Sequence, residues 1–395
     1  MIAALSAAEC GAEVVLFERQ ARVGRKLAAT GNGRCNITNL NANAESYRGT
    51  IPTFARFALE SFNAEDALNY FRSFGLLCIS EDSGRCYPYS DTANSVVDIL
   101  RFALDSANVQ TKCAEPVRLL ERMQTGFRVF CEAESVDVDR VIVACGGQAG
   151  AKLGGVRDGY TMLEHFGHSC TKLRPALVQL KTAGNFTRAL KGVRANCEVQ
   201  VIRGGKKAAQ SSGELQFTEY GLSGPIIFDL SLEARMQERS ELEVDFLPII
   251  NHAALMELLL QKVQRLPNLS SDELFTGLLQ NRLGKMLVKE CAFSGKTLKE
   301  LTQSELFRAC GKAKKMTFSV TGDLGFDAAQ VTSGGISVAE FDDKTMESRL
   351  CKGLYACGEV LDIDGPCGGY NLQWAWASGR AAGLAAGGGN NGKDN

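Results

Sequence analysis

Two glycine-rich stretches near opposite ends of the chain constrain it most. Residues 24–39 hold three Gly and three cations. Residues 362–373 run through Gly365-Pro366-Cys367-Gly368-Gly369 into an Ala-rich helix that the pattern places over 372–386. Each stretch joins a strand to a helix. Glycine, 41 residues of 395, supplies backbone with φ > 0 and lets main chain approach a ligand closely. Gly368 and Gly369 expose a helix N-terminus, which carries free N–H groups and about half a positive charge. Such an end suits a pyrophosphate, or the N1–C2=O edge of a reduced flavin, where negative charge accumulates. In residues 24–39, Gly33, Arg34 and Asn36 belong to a loop whose backbone N–H groups and cations line a cofactor. A solvated surface loop is the alternative there.

The first residues set the fold class. Residues 2–9 read as an Ala-rich helix with Gly11 as its C-cap, and residues 13–18 as a strand ending in Glu18. Helix, Gly, strand and terminal acid form the second half of a βαβ dinucleotide-binding unit, in which Glu18 accepts hydrogen bonds from the adenosine ribose. No strand and no GxGxxG precede Met1. The expectation is a start assigned too late, with a true truncation as the alternative. A truncation would expose sheet edges and weaken both the fold and its affinity for a dinucleotide.

Amphipathic helices follow at 52–60, 63–74 and 94–108, the last with Val96, Val97, Leu100, Ala103, Leu104 and Ala107 on one stripe. Strands are expected at 127–131, 136–138 and 140–145. Ala144 lies near the end of that last, buried strand and joins the candidate cofactor set. Gly146, Gly147 and Gly150 have GGxxG spacing and read as a tight strand exit. Between about 170 and 330, short β pieces (176–180, 197–202, 214–217, 242–246, 316–320) surround a helical block at 251–313. Leu255, Leu258, Leu259, Leu283, Leu287 and Val288 form core stripes there. This middle region looks inserted into a nucleotide-binding domain. After 330 a strand runs into Gly358-Glu359, where Glu359 suits ribityl or phosphate-side hydroxyls. The 387–395 tail is expected to fray.

Composition excludes several classes. Lys and Arg total 44 against 45 Asp and Glu, a balance that argues against a nucleic-acid partner. No apolar run approaches the roughly 18 residues of a membrane span, and residues 1–8 lack the basic start of a signal peptide. Fourteen Cys are spread along the chain without CxxC. They read as small buried residues in a reducing cytoplasm, not as disulfides or a dithiol redox centre. Cys35 and Cys367 lie in the two Gly-rich loops and read as packed thiols. His165 and His168 are spaced to share a helix face, but no further ligands complete a metal site.

Longer motifs carry a family resemblance. They are Gly24-Arg25-Lys26-Leu27 with residues 31–39 (Gly-Asn-Gly-Arg-Cys-Asn-Ile-Thr-Asn), Leu215 through Pro225, and Thr345-Met346-Glu347-Ser348 through Gly358-Glu359-Val360-Leu361-Asp362 to Gly369-Tyr370-Asn371-Leu372-Gln373. In this order they make the chain resemble the HI0933-like flavoproteins. These include the BaiN-type proteins of gut bacteria and are also described as aminoacetone oxidase family FAD-binding enzymes or NAD(P)/FAD-dependent oxidoreductases. The resemblance implies an α/β chain with a Rossmann-like FAD-binding domain in two segments, 1–170 and 331–395. It implies an inserted β-barrel-like domain at 171–250 and 314–330, carrying a small helical subdomain at 251–313.

By the same similarity Glu18 holds the adenosine ribose. Arg25 and Lys26 lie along the loop by which FAD enters, and the Val117 backbone meets adenine. Gly358 and Glu359 lie near the ribityl and pyrophosphate, and Asn371 and Leu372 face the flavin through backbone N–H groups. The function implied is an FAD-dependent oxidoreductase acting on a small organic substrate by C=C or amine redox chemistry, with NAD(P)H as a candidate donor. Tyr370 and Arg34 are candidates to orient a substrate carbonyl or carboxylate; no acid–base pair stands out. The alternative is a non-catalytic, flavoprotein-derived binding protein that has lost its phosphate loop. A flavin-dependent nucleic-acid modifier fits the architecture but not the neutral charge.

Overall fold

The protein is seen in a computed structural model that describes residues 1–235 and 240–388. Most of the 387–395 tail therefore lies outside the described residues. The chain forms two compact units, Met1–Pro175 with Ala329–Asn395, and Ala176–Ala328.

The first unit opens with α1 (Ile2–Glu9), β1 (Val15–Glu18) and the short α2 (Arg25–Ala29), then β2 (Thr38–Asn39), α3 (Arg56–Ser61) and α4 (Ala64–Ser73). It continues through β3 (Cys78–Ser80), β4 (Arg85–Pro88), α5 (Ala93–Ser106), β5 (Gln110–Cys113), β6 (Leu119–Arg122), β7 (Phe127–Phe130), β8 (Ser135–Val138), β9 (Val141–Val143) and α6 (Asp158–His165). Parallel pairing, the mark of a βαβ fold, joins β1 to β5 with Glu18 opposite Cys113. α5, which leads into β5, buries Val96, Val97, Leu100, Ala103 and Leu104, the stripe its periodicity predicted, with Ala107 half-buried. α4 starts on a capping box in which Asn63 and Asp66 exchange side-chain and backbone hydrogen bonds.

Two small antiparallel sheets, β2-β4-β3 and β6-β7-β8, complete this segment. The hairpin of β3 and β4 has no counterpart in the sequence reading, because its strands are only three and four residues long. Residues 24–39, expected to be neither helix nor strand, contain both α2 and β2. α6 ends at His165, so the expected helix face shared with His168 does not exist.

β10 (Arg174–Ala176) precedes the second unit, which contains β11 (Leu180–Thr182), α7 (Phe186–Ala189), β12 (Arg194–Arg203), β13 (Lys206–Phe217), β14 (Gly221–Ser223) and α8 (Pro225–Leu230). After these come β15 (Ser240–Asp245), α9 (His252–Arg265), α10 (Asn281–Glu290), α11 (Gln303–Lys314) and β16 (Met316–Asp323). Six strands close into a barrel in the order β11-β14-β13-β12-β15-β16. Arg203 pairs with Lys206, which leaves Gly204-Gly205, both with positive φ, as a two-residue hairpin turn. β12 and β13 are longer than the apolar pieces suggested, since their polar ends near the turn carry no hydrophobic signal. Leu255, Leu259, Leu283, Leu287 and Val288 are buried as expected. Leu258 instead is 38% exposed.

The chain then returns to the first unit with β17 (Val331–Ser333), β18 (Leu354–Ala356) and α12 (Tyr370–Gly387). β18 lies parallel to β9, and β17 pairs with β10. α12 packs against α1 so closely that a Cβ on Gly383 would lie 2.3 Å from the Ala3 carbonyl oxygen. Among the described residues no helix is long and apolar enough to cross a membrane.

Candidate functional site

The two glycine-rich stretches meet at the start of α12. Thr38 Oγ1 donates to Gln373 Oε1 at 2.7 Å, and Gln373 Nε2 to the Phe62 carbonyl at 2.7 Å. Asn39 Nδ2 donates to the Gly368 carbonyl at 2.9 Å, and Trp376 Nε1 to the Ile37 carbonyl at 2.8 Å. The Tyr47 hydroxyl donates to the Tyr370 carbonyl at 2.8 Å. Buried side-chain partners of this kind are costly to lose, so the loop is held and is not a free surface segment. Gly369 is the N-cap of α12 at φ +99. A Cβ there would sit 2.5 Å from the Thr38 carbonyl carbon and oxygen, and 2.9 Å from Asn36 Oδ1. No other residue fits. A Cβ on Gly368 would meet Arg85 Nε at 2.8 Å.

Asn371 shapes this loop with its side chain. Oδ1 accepts from the Gly365 N–H at 2.9 Å and Nδ2 donates to the Gly365 carbonyl at 2.8 Å. Its main chain, with that of half-buried Leu372, lies in the first turn of α12, where helical N–H groups have no intrahelical acceptor.

Upstream, Gly358 is seated on the same helix: Trp374 Nε1 donates to its carbonyl at 3.1 Å and its N–H donates to Ser378 Oγ at 2.9 Å. Glu359 accepts from Lys26 Nζ at 2.7 Å and from the Thr332 N–H at 2.8 Å. Gly147 leaves the space for that carboxylate, since a Cβ there would lie 2.4 Å from Glu359 Oε1. The glycines after β9 thus do more than end a strand. Ala144, next to them, is exposed.

A second corner forms at the end of β1. Glu18 Oε1 accepts from the Gln20 N–H at 2.8 Å, and its carbonyl accepts from the Glu115 N–H at 3.0 Å. This ties the strand end to the turn that leads to half-buried Val117. Arg25, exposed, donates to Gln20 Oε1 at 2.7 Å. Gly33, at φ +87, has open space around it. Arg34 has protein partners of its own. It pairs with Asp91, lies 3.5 Å from Glu81, and stacks 4.1 Å over the Tyr87 ring. Cys35 is fully buried, and burial pushes its thiol up to about 12, consistent with a packed residue.

Two buried oxygens beside α12 lack partners among the described residues, Asn36 Oδ1 and Asp364 Oδ1. Such atoms are rare in folded proteins. Together with the first-turn N–H groups of α12 and the Glu18 carboxylate at the end of β1, they fit a ligand that carries both hydrogen-bond donors and acceptors along its length, as FAD does. Sequence reading missed Asp364. Its only signal was a place in the Asp362-Ile363-Asp364-Gly365 run. Burial pushes its carboxyl up to about 6, while the Ser333 hydroxyl pulls the other way.

The chain matches the family described as HI0933-like protein Rossmann domain over residues 1–385. A 3-dehydro-bile acid delta(4,6)-reductase of Clostridium scindens is 37% identical over 396 residues, covering 98% of this chain and 96% of that protein. A ribosomal RNA dihydrouridine synthase of Escherichia coli K12 is 28% identical over 378 residues, covering 96% of this chain and 93% of that protein. Among solved structures, a 3-ketosteroid-delta4-(5alpha)-dehydrogenase from Rhodococcus jostii RHA1 covers 98% of this chain and 94% of its own at 15% identity and TM-score 0.48.

Proposed function

This chain belongs to the HI0933-like Rossmann-domain family, and from that premise we propose that it reduces a carbon–carbon double bond conjugated to a carbonyl group. The family is one of FAD-dependent oxidoreductases, so the enzyme class is given. The observation that carries the proposal is the 37% identity, over 98% of the chain, to a protein named as a delta(4,6)-reductase. The dihydrouridine synthase name also describes hydrogen added across a double bond. Nothing comparable supports amine oxidation.

In this reading FAD supplies the redox chemistry, and the protein binds, orients and polarises. Glu18 holds the adenosine ribose, with Arg25 and Val117 beside it. Lys26, Glu359, Gly358 and the Ala144 turn line the middle of the cofactor. Gly33 and Asn36 face the flavin end, where Gly368 and Gly369 admit it to the N–H groups of Asn371 and Leu372. Arg34, held by Asp91 and Tyr87, stands at the rim. NADH or NADPH is the proposed electron source.

A conjugated steroid-like enone is preferred over uridine in RNA as substrate, because the bile-acid relative is the more similar and the net charge is only -1. The first measurement is the visible spectrum of the purified chain with added FAD, followed by anaerobic NADH and NADPH reduction. Reoxidation is then followed with a 4-en-3-one, a 4,6-dien-3-one and uridine-containing ribosomal RNA. A folded, colourless protein that takes up no FAD refutes the reading. RNA-dependent reoxidation without enone turnover replaces the substrate class.

A further inference from the structure

Asp364 is a buried acid with an unspent oxygen. Its residue is 3% exposed, and Oδ1 has no partner among the described residues. Its backbone is clamped on both sides by Arg48. Arg48 N–H donates to the Asp364 carbonyl at 2.7 Å, and Asp364 N–H to the Arg48 carbonyl at 3.1 Å. The main chain that carries the carboxyl is therefore fixed in place. The charged groups around it are Arg48, Asp362 and Glu359, and the Ser333 hydroxyl bonds to it. The neighbouring acids already have partners: Asp362 is held by the Thr50 N–H and hydroxyl, and Glu359 by Lys26 and Thr332. Asp364 Oδ1 is the one buried carboxylate oxygen without a partner among the described residues. The next residue, Gly365, is clasped by Asn371 in the first turn of α12. This places Asp364 on the loop between two groups assigned above to the cofactor, Glu359 and the helix N-terminus.

We propose that Asp364 is a direct contact of the bound flavin nucleotide and makes that contact as a neutral, proton-bearing acid. The proposal rests on the FAD reading of this site. A carboxylate here would repel a cofactor that carries a pyrophosphate and gathers negative charge on its reduced ring. A carboxylic acid instead offers both a donor and an acceptor. Burial, with a smaller push from Asp362 and Glu359, already moves the group to about 6 without the cofactor, and a bound anion moves it further in the same direction. FAD binding is then coupled to proton uptake, and affinity falls by up to about tenfold per pH unit above the free protein's transition.

The test is FAD titration of the full chain, freed of flavin, by fluorescence quenching between pH 5 and 8.5. It compares wild type with D364N, D364A and S333A. Wild type should bind with a Kd that rises as pH climbs past about 6. D364N, which keeps donor and acceptor without titrating, should bind with a flat profile over the same range. D364A should bind at least about tenfold more weakly than wild type at pH 5. S333A should move the transition to higher pH. A flat wild-type profile, or a D364N profile with the wild-type slope, overturns the proposal. So does FAD binding unchanged in both Asp364 variants, which leaves the cofactor reading intact. Failure of wild type to bind FAD at any pH overturns the cofactor reading and this proposal together.

Discussion

At Gly369 and Asn36 the demands of folding and of binding separate. Gly369 combines a left-handed backbone with a Cβ position 2.5 Å from the Thr38 carbonyl. Gly369→Ala should destabilise by about 2–4 kcal/mol, from backbone strain and overpacking together, read as a lowered urea midpoint. Asn36 Oδ1 is the opposite case, a buried acceptor without a partner among the described residues. Removing it relieves a desolvation cost. Asn36→Ala should leave the unfolding free energy, from urea titration, within about 0.5 kcal/mol of wild type, while weakening FAD binding by about tenfold. An equal loss of stability would show that the side chain serves packing alone. Arg34, expected to face the cofactor or substrate, is paired with Asp91 and Glu81.

At the scale of elements, α12 organises the first unit. Its helical glycines let α1 approach until main chain nearly touches main chain. Gly383→Ala would set a Cβ 2.3 Å from the Ala3 carbonyl oxygen and push the helices apart. It should cost about 1–3 kcal/mol despite alanine's higher helix propensity, visible as a lower Tm.

A second junction joins the turn after α6 to residues 340–348. His168 Nδ1 lies 2.8 Å from Glu340 Oε2, and Nε2 lies 2.9 Å from Ser348 Oγ, with the ring stacked 4.5 Å from Phe341. Ser348 Oγ also accepts from the Leu350 and Cys351 N–H groups. The serine is thus saturated, and the arrangement is a staple rather than a nucleophile site. Burial lowers the His168 pKa from its ordinary 6.5, against the opposing pull of Glu340. The unfolded chain therefore binds a proton that the folded one resists. This contribution to stability is complete above about pH 6.5 and is lost as pH falls from there through the lower folded value. Asp364, shifted upward, acts oppositely and loses stability as pH rises through about 6. The difference between wild type and His168→Leu isolates the histidine. It should be about 1–3 kcal/mol at pH 7.5 and shrink toward pH 5 in parallel urea titrations. A difference that does not change with pH would contradict the assignment.

For the whole molecule, the two units have separate cores. Residues 176–328 carry a closed six-stranded barrel that shares one apolar cluster with the helices α9, α10 and α11. A closed barrel has no open edge to template aggregation. This fragment expressed alone should be monomeric and melt cooperatively by circular dichroism. Residues 1–175 alone should not, because β9 would lose β18 and α1 would lose α12.

Much of this was legible in the chain itself, for a physical reason. Helices and strands are chosen by local periodicity, so α1, α5, α12 and the core leucines of α9 and α10 follow from residues a few positions apart. Glycine clusters announce close backbone approach wherever it is to occur, and motif order points to the family. Pairings between distant residues are another matter. Lys26 meets Glu359 across 333 positions, and Thr38 meets Gln373 across 335. No short-range pattern encodes such contacts. The orphan oxygens of Asn36 and Asp364, the pairing of Arg34 with Asp91 and the burial of His168 between Glu340 and Ser348 depend on which surfaces exclude water once both segments have packed. Burial and partner choice belong to that packing, so only the tertiary structure decides them.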